Sequence, residues 1–265
     1  MSIARQNTVT GKEDGTSTHH IYAEIHVRRN LLRKDNMGQI RAVCFDMFDT
    51  LADAHRQMED AECLALGITR DEWGKAMWED QLCRDRGLGV IQSVREMIDR
   101  ACDMLPIQVT AAQKEAAGKA RLARLKAAVT EIHPVIVDTI RRLKESGRKI
   151  GLISNADVCD RYYWDQSPLF QYFDDSIFSC DVGLVKPDAA IYLLASERLG
   201  VPPAEIVFVG DGGSNELFGA KAVGMKTVCS EYLIRYPQQK RIQIHKNADR
   251  VVSEFGKLPE WIDKI

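Results

Sequence analysis

The chain has 265 residues, 45% of them hydrophobic and 28% charged, with a formal net charge of -2. That length allows one large domain or a core with a smaller partner, and the near-neutral balance gives no reason to expect nucleic acid or an anionic membrane surface as a partner. No run approaches the roughly 20 apolar residues of a membrane span, the N-terminus lacks an apolar secretory core, and seven cysteines without a Cys-x-x-Cys pair fit reduced thiols in a cytoplasmic protein.

Residues 1–36 are polar and charged, with a loop-like run from Gly11 to Thr18, and are expected to form a poorly ordered extension. His19, His20 and His26 have no carboxylates or cysteines at ligand spacing and give no metal site. Ile40 to Phe45 is a run of apolar β-formers that ends against Asp46, Asp49 and Thr50. Such a run fits a buried central strand whose carboxyl end opens into a site.

From Leu51 to about His133 the pattern is helical. Ile91, Val94, Ile98, Cys102 and Leu105 recur every three or four residues, as do Leu122, Leu125, Val129 and Ile132. Gly67, Gly87, Gly89 and Pro106 punctuate the stretch, which predicts about four helices inserted after the first strand. Trp73 and Trp78, five apart, do not share one helix face; core positions for both are the simplest reading, with one of them at a cleft as the alternative.

Pro134 suits a first helical turn, and Ile136, Ile140 and Leu143 give that helix an apolar face ending at Gly147. The basic cluster of Arg141, Arg142, Lys144, Arg148 and Lys149 reads as a solvated helix face. Strand-like and helical segments then alternate: Lys149 to Ile153, Ser176 to Ser179, helix Ala189 to Leu199, Ile206 to Val209, helix Asn215 to Val223, and Lys226 to Cys229. A strand near Arg250 to Val252 and a short helix around Pro259 to Ile262 close the chain. This alternation predicts an α/β fold, a doubly wound parallel Rossmann-like sheet. The expected division is a core of residues 37–53 and 134–265 with an all-helical domain over 54–133 inserted into it.

In such a sheet the reactive groups belong on the loops at the carboxyl edge. Four loops qualify: Asp46 with Thr50, Ser154-Asn155, Lys186-Pro187-Asp188, and Gly210-Asp211-Gly212-Gly213-Ser214-Asn215-Glu216. Singly these are ordinary turns and helix starts. Together, a hydroxyl, a lysine and two acidic loops suit an anionic substrate held with a divalent metal, because a carboxylate nucleophile and a phosphate repel each other unless cations lie between them.

The order of these four motifs, over about residues 40 to 252, resembles that of the haloacid dehalogenase-like hydrolases with a helical (type 1) cap. The resemblance implies Asp46 as nucleophile and metal ligand, the main-chain carbonyl of Phe48 as a second metal contact, and Thr50 as the residue that orients the motif. It further implies Ser154 as the phosphoryl-binding hydroxyl, Asn155 as a neighbouring donor, Lys186 as the cation between nucleophile and phosphate, and Asp211 with Glu216 as metal acids. Two acids, a carbonyl and waters suit Mg²⁺. The implied reaction is hydrolysis of a small phosphate ester or anhydride through an aspartyl phosphate, in a protein that is monomeric or homodimeric.

The departures from the family pattern matter as much. Most phosphatases of the family carry a general acid where this chain has Phe48, and such help is worth ~10²–10⁴ in rate. Asp49 is expected to be a turn residue rather than its substitute; His55, near the start of the cap, is another candidate donor. A bulky residue at this position resembles the 2-haloacid dehalogenases, which have tyrosine there, need no metal and usually replace the last motif's acids with neutral residues. A phosphonate-cleaving branch would need a cap lysine, for which Lys75 and Lys114 are the candidates. A catalytically weak ligand-binding protein is the remaining alternative. Within the cap, Arg84-Asp85-Arg86-Gly87-Leu88-Gly89 reads either as a loop whose Arg84 and Arg86 reach an anionic substrate or as a surface helix end with solvated charges.

Overall fold

In a computed structural model the protein is described over residues 39–53 and 61–264. The expected N-terminal extension with its histidines, and His55, lie outside these residues. Six parallel strands form one sheet in the order β3-β2-β1-β4-β5-β6. They are β1 (Ala42–Phe45), β2 (Lys149–Ser154), β3 (Asp175–Phe178), β4 (Ile206–Gly210), β5 (Lys226–Ser230) and β6 (Arg250–Val252). Central β1 pairs Val43 with Ile150 of β2 on one side and with Val207 of β4 on the other.

The side-chain period of two divides each strand between two layers. Val43, Phe45, Ile150, Leu152, Val207 and Val209 pack on one face, with Ile136, Ile140 and Leu143 of helix α6 (Pro134–Glu145). Ala42, Cys44 and Phe208 face the other way, against Ile191 and Tyr192 of α8 (Ala189–Leu199) and Leu217 of α9 (Glu216–Ala222). A sheet covered on both faces is what lets β1 be apolar at every position.

Between β1 and α6 the chain forms α1 (Ala61–Leu66), α2 (Arg70–Met77), α3 (Asp80–Gly87), α4 (Val94–Cys102) and α5 (Ala111–Thr130). These are five helices among the described residues, against about four expected. Three of them have a local reason to start where they do. Thr69 and Glu72 form a reciprocal capping box on α2, as do Thr110 and Gln113 on α5, and Ser93 caps α4 by accepting the Glu96 amide at 3.1 Å. The helices bury an apolar cluster of their own, including Leu66, Met97, Ile98, Ala117 and Leu125.

Strand boundaries agree with expectation to within two residues at either end. The chain pattern did not reveal the short α7 (Ser179–Val182) or α10 (Gln238–His245); α11 (Leu258–Ile262) lies where a closing helix was expected. No helix among the described residues is long and apolar enough to cross a membrane.

Candidate active site

All four expected loops meet at the carboxyl edge of the sheet. Asp46 follows β1 directly, and its amide donates to the Val209 carbonyl at 2.9 Å, extending the β1–β4 ladder to the carboxyl edge. Asp49 has φ 58 and its amide donates to Ala52 O at 2.8 Å, so it is the turn residue expected. The turn folds Thr50 into full burial. The Phe48 ring packs against both the sheet's core and the helical insertion's, and its carbonyl accepts no backbone hydrogen bond among the described residues.

Lys186 is the centre of the charge arrangement. It is buried, and its ammonium donates to Asp46 Oδ1 and, at 2.5 Å, to Glu216 Oε2. Burial works against its charge, but Asp46 and Glu216 outweigh that cost and hold the ammonium firmly protonated. Asn155 holds the lysine backbone from both sides: Lys186 N donates to Asn155 Oδ1 at 2.7 Å, and Asn155 Nδ2 donates to Lys186 O at 2.9 Å. Part of the expected donor capacity of Asn155 therefore goes into placing Lys186.

Ligand oxygens of Asp46, Asp211 and Glu216 lie within 4.8 Å of one another. Glu216 can sit this close because Gly210 lacks a side chain; a Cβ there would lie 2.1 Å from Glu216 Oε1. Burial, then repulsion from Glu216, pushes the Asp46 carboxyl up to about 7 despite Lys186. Burial and repulsion from Glu216 and Asp46 push Asp211 up to about 8. Crowded hard-oxygen donors with raised proton affinity fit a divalent cation such as Mg²⁺, which would remove the repulsion that raises them. Ser154 Oγ and Thr50 Oγ1 are buried without a hydrogen-bond partner, and unpartnered buried hydroxyls are costly unless a ligand uses them.

Asp46, Ser154, Asn155, Lys186, Asp211 and Glu216, but not Thr50, line a cavity of about 560 Å³ between the sheet edge and the helical insertion. Both tryptophans line the cavity: Trp73 is buried and donates through Nε1 to Glu62 at 2.8 Å, and Trp78 is 74% exposed. The expectation for the arginine loop needs correction. Residues 84–87 are the last turn of α3 rather than a loop. Arg84 is exposed and does not line the cavity. Arg86 does, but its guanidinium is taken by Asp157 at 2.7 and 2.9 Å and by the Met77 carbonyl at 2.7 Å. Lys75 is exposed beside Asp71, and Lys114 pairs with Asp99 at 3.0 Å; neither lines this cavity.

Several cavity residues were not anticipated. Tyr236 donates to Asp211 Oδ2 at 2.6 Å from the segment before α10, which carries no recognisable motif. Glu62, Arg121, Arg124 and Asp160 come from helices and loops distant in sequence. The only available signal was the three-residue spacing of Arg121 and Arg124 on one face of α5.

The family model for haloacid dehalogenase-like hydrolases matches residues 40–224. The chain is 28% identical over 201 residues to the glyceraldehyde 3-phosphate phosphatase of Methanopyrus kandleri, covering 71% of this chain and 83% of that protein. It is also 28% identical over 183 residues to the (S)-2-haloacid dehalogenase of Pseudomonas putida, covering 65% and 77% respectively. The fold superimposes on 2-haloacid dehalogenase from Pseudomonas syringae with a TM-score of 0.60 at 22% identity, covering 85% of this chain and 99% of that one.

Proposed function

Since the chain belongs to the haloacid dehalogenase-like hydrolase family, and is a hydrolase, we propose that it is a Mg²⁺-dependent phosphatase of a small phosphorylated metabolite. The observation that carries this reading is the convergence of Asp46, Asp211 and Glu216 around Lys186. A nucleophile needs only one of these acids; three together carry more negative charge than Lys186 alone offsets, a liability unless a metal cation is also held there. The phosphatase among the relatives supports the same reading.

Asp46 would attack phosphorus and carry the phosphoryl group as an aspartyl phosphate, which water then cleaves. Lys186, pinned by Asn155, would screen the attacking carboxylate from the phosphoryl oxygens. Ser154 Oγ, unpartnered in the cavity, would donate to one of those oxygens. Asp46, Asp211, Glu216 and the Phe48 carbonyl would hold the cation. When bound, Mg²⁺ supplies charge neutralisation at the phosphoryl group. The helices over 61–130 would act as the cap that excludes bulk water. Phe48 brings no proton, so substrates whose leaving group departs without one are favoured.

The competing reading is C–halogen hydrolysis by the same Asp46. It draws support from the bulk of Phe48 and from the dehalogenases among the relatives. A panel of phosphate esters, acyl phosphates and 2-haloacids, assayed with Mg²⁺ and with chelator, separates the two. Hydrolysis of a phosphate that needs Mg²⁺ and is lost in Asp46→Asn is the expected result. Halide release that persists in chelator would overturn it.

A further inference from the structure

Facing the sheet edge, the insertion's wall of the cavity carries a buried guanidinium that the protein itself leaves incompletely bonded. Arg121 lines the cavity, with its side chain 8% exposed. Its Nη2 donates to Asp157 Oδ2 at 2.9 Å, but its Nη1 is 3.7 Å from Glu62 Oε2 and its Nε is buried with no partner. Beside it, Arg124 spends Nε and Nη2 on a single oxygen, Glu62 Oε1, at 2.9 and 2.8 Å. The other Glu62 oxygen is occupied by Trp73 Nε1. Asp157 already serves Arg86 as well. Glu62 and Asp157 are thus shared out, Asp160 Oδ1 stands 3.9 Å from Arg121 Nη2, beyond hydrogen-bond reach, and Arg121 Nε has no acceptor. Leaving a buried cationic donor short of acceptors is costly, and an anionic oxygen is the group that best removes the cost.

We infer that Arg121 and Arg124 form the distal subsite of the cavity and select a substrate whose far end carries a second anionic group, a carboxylate or a second phosphate. This rests on the phosphatase reading for the group bound at Asp46. Phosphoryl chemistry occurs at the sheet edge, and the arginine pair holds the rest of the molecule from the insertion. Arg86 takes no part in that contact: Asp157 and Met77 already hold it. Trp73 is a positioning residue, because its indole fixes Glu62 and so the direction of Arg124.

The test is steady-state hydrolysis of matched phosphate esters two to six carbons long. Each length is offered with a neutral alcohol, a carboxylate or a second phosphate at the far end; the carboxylate and phosphate arms distinguish the two sources of charge. The wild type should favour one charged series over the neutral one by about 10- to 100-fold in kcat/KM. Arg124→Gln should remove most of that preference, chiefly through KM, and Arg124→Lys should restore part of it. Equal kcat/KM for charged and neutral esters, or a preference unchanged in Arg124→Gln, would overturn the inference. A second measurement keeps it separable from the phosphatase reading: calorimetric binding of succinate to the wild type, Asp46→Asn and Arg124→Gln proteins. Binding kept in Asp46→Asn and lost in Arg124→Gln supports the subsite even where no phosphate is hydrolysed. If none of the esters is turned over and succinate does not bind, the subsite is refuted. Arg121→Gln, checked for an intact melting transition, should weaken succinate in the same direction.

Discussion

Phe48 concentrates the chemical question in one side chain. Its ring bridges the sheet's core and the insertion's core while facing the cavity, so the residue both packs the two together and withholds a proton. Phe48→Asp should therefore move two observables in opposite directions. Turnover of alkyl phosphates should rise, by no more than the ~10²–10⁴ that general acid help supplies. Stability in urea should fall by about 1–3 kcal/mol, because a carboxyl replaces an apolar contact. A loss of turnover in a folded Phe48→Asp protein would mean that the ring itself shapes the substrate site. At Asp46 the expectation is simpler. Asp46→Asn removes the nucleophile while keeping its shape, and turnover should drop on the order of 10³ or more, measured with Mg²⁺ present.

Among the elements, the decisive contact joins α3 and α5 to the loop after β2. Asp157, 2% exposed, receives Arg86 and Arg121 together and also accepts the Cys159 amide at 2.7 Å. Burial opposes its charge, but the two guanidinium groups and the amide hold its carboxyl well below the usual range. Removing one partner strands the other charges, so Arg86→Ala should lose about 3–5 kcal/mol in chemical denaturation. Near it, Gly89 (φ +71) lies so close to the α7 backbone that a Cβ would stand 1.9 Å from the Cys180 carbonyl. Gly89→Ala should cost about 1–3 kcal/mol through the left-handed backbone alone, and more through the displaced contact. Both variants should raise KM, since they loosen the wall opposite Asp46; a melting curve and a Michaelis plot check this together.

At the scale of the whole molecule, the acid cluster makes stability depend on pH and on cation. Asp46 is raised to about 7 and Asp211 to about 8, against about 4 for a carboxyl in an unfolded chain. The folded protein therefore binds more protons than the unfolded one between about pH 4 and pH 8. Stability of the metal-free protein should be highest at the acid end of that window, as far as these two groups decide it. It should fall as pH rises through the two folded values. Added Mg²⁺ binds the deprotonated set, so it should raise the melting temperature more at pH 8 than at pH 5. A metal-free protein whose melting temperature climbs from pH 5 to pH 8, with no gain from Mg²⁺ at pH 8, would contradict both points.

The sequence by itself determined the sheet, the inserted helices and the four loops that converge on Asp46. Those features are local: period-two and period-3.6 apolar patterns, caps, and short motifs directly after strands, each readable within a dozen residues. Asp46, Ser154, Lys186, Asp211 and Glu216 were legible because a parallel sheet brings every strand's carboxyl end to one edge. Only the tertiary structure decided the wall across the cavity. Arg84 and Arg86 sit two apart on one helix, yet one is exposed and the other is locked to Asp157, 71 residues away. Arg121, Arg124 and Glu62 gave no comparable signal, because what distinguishes them is which acceptors reach them after packing. A charged side chain's role depends on the partners that surround it when buried, and those partners come from α1, α2, α5 and the loop after β2 at once. No stretch of sequence contains that list.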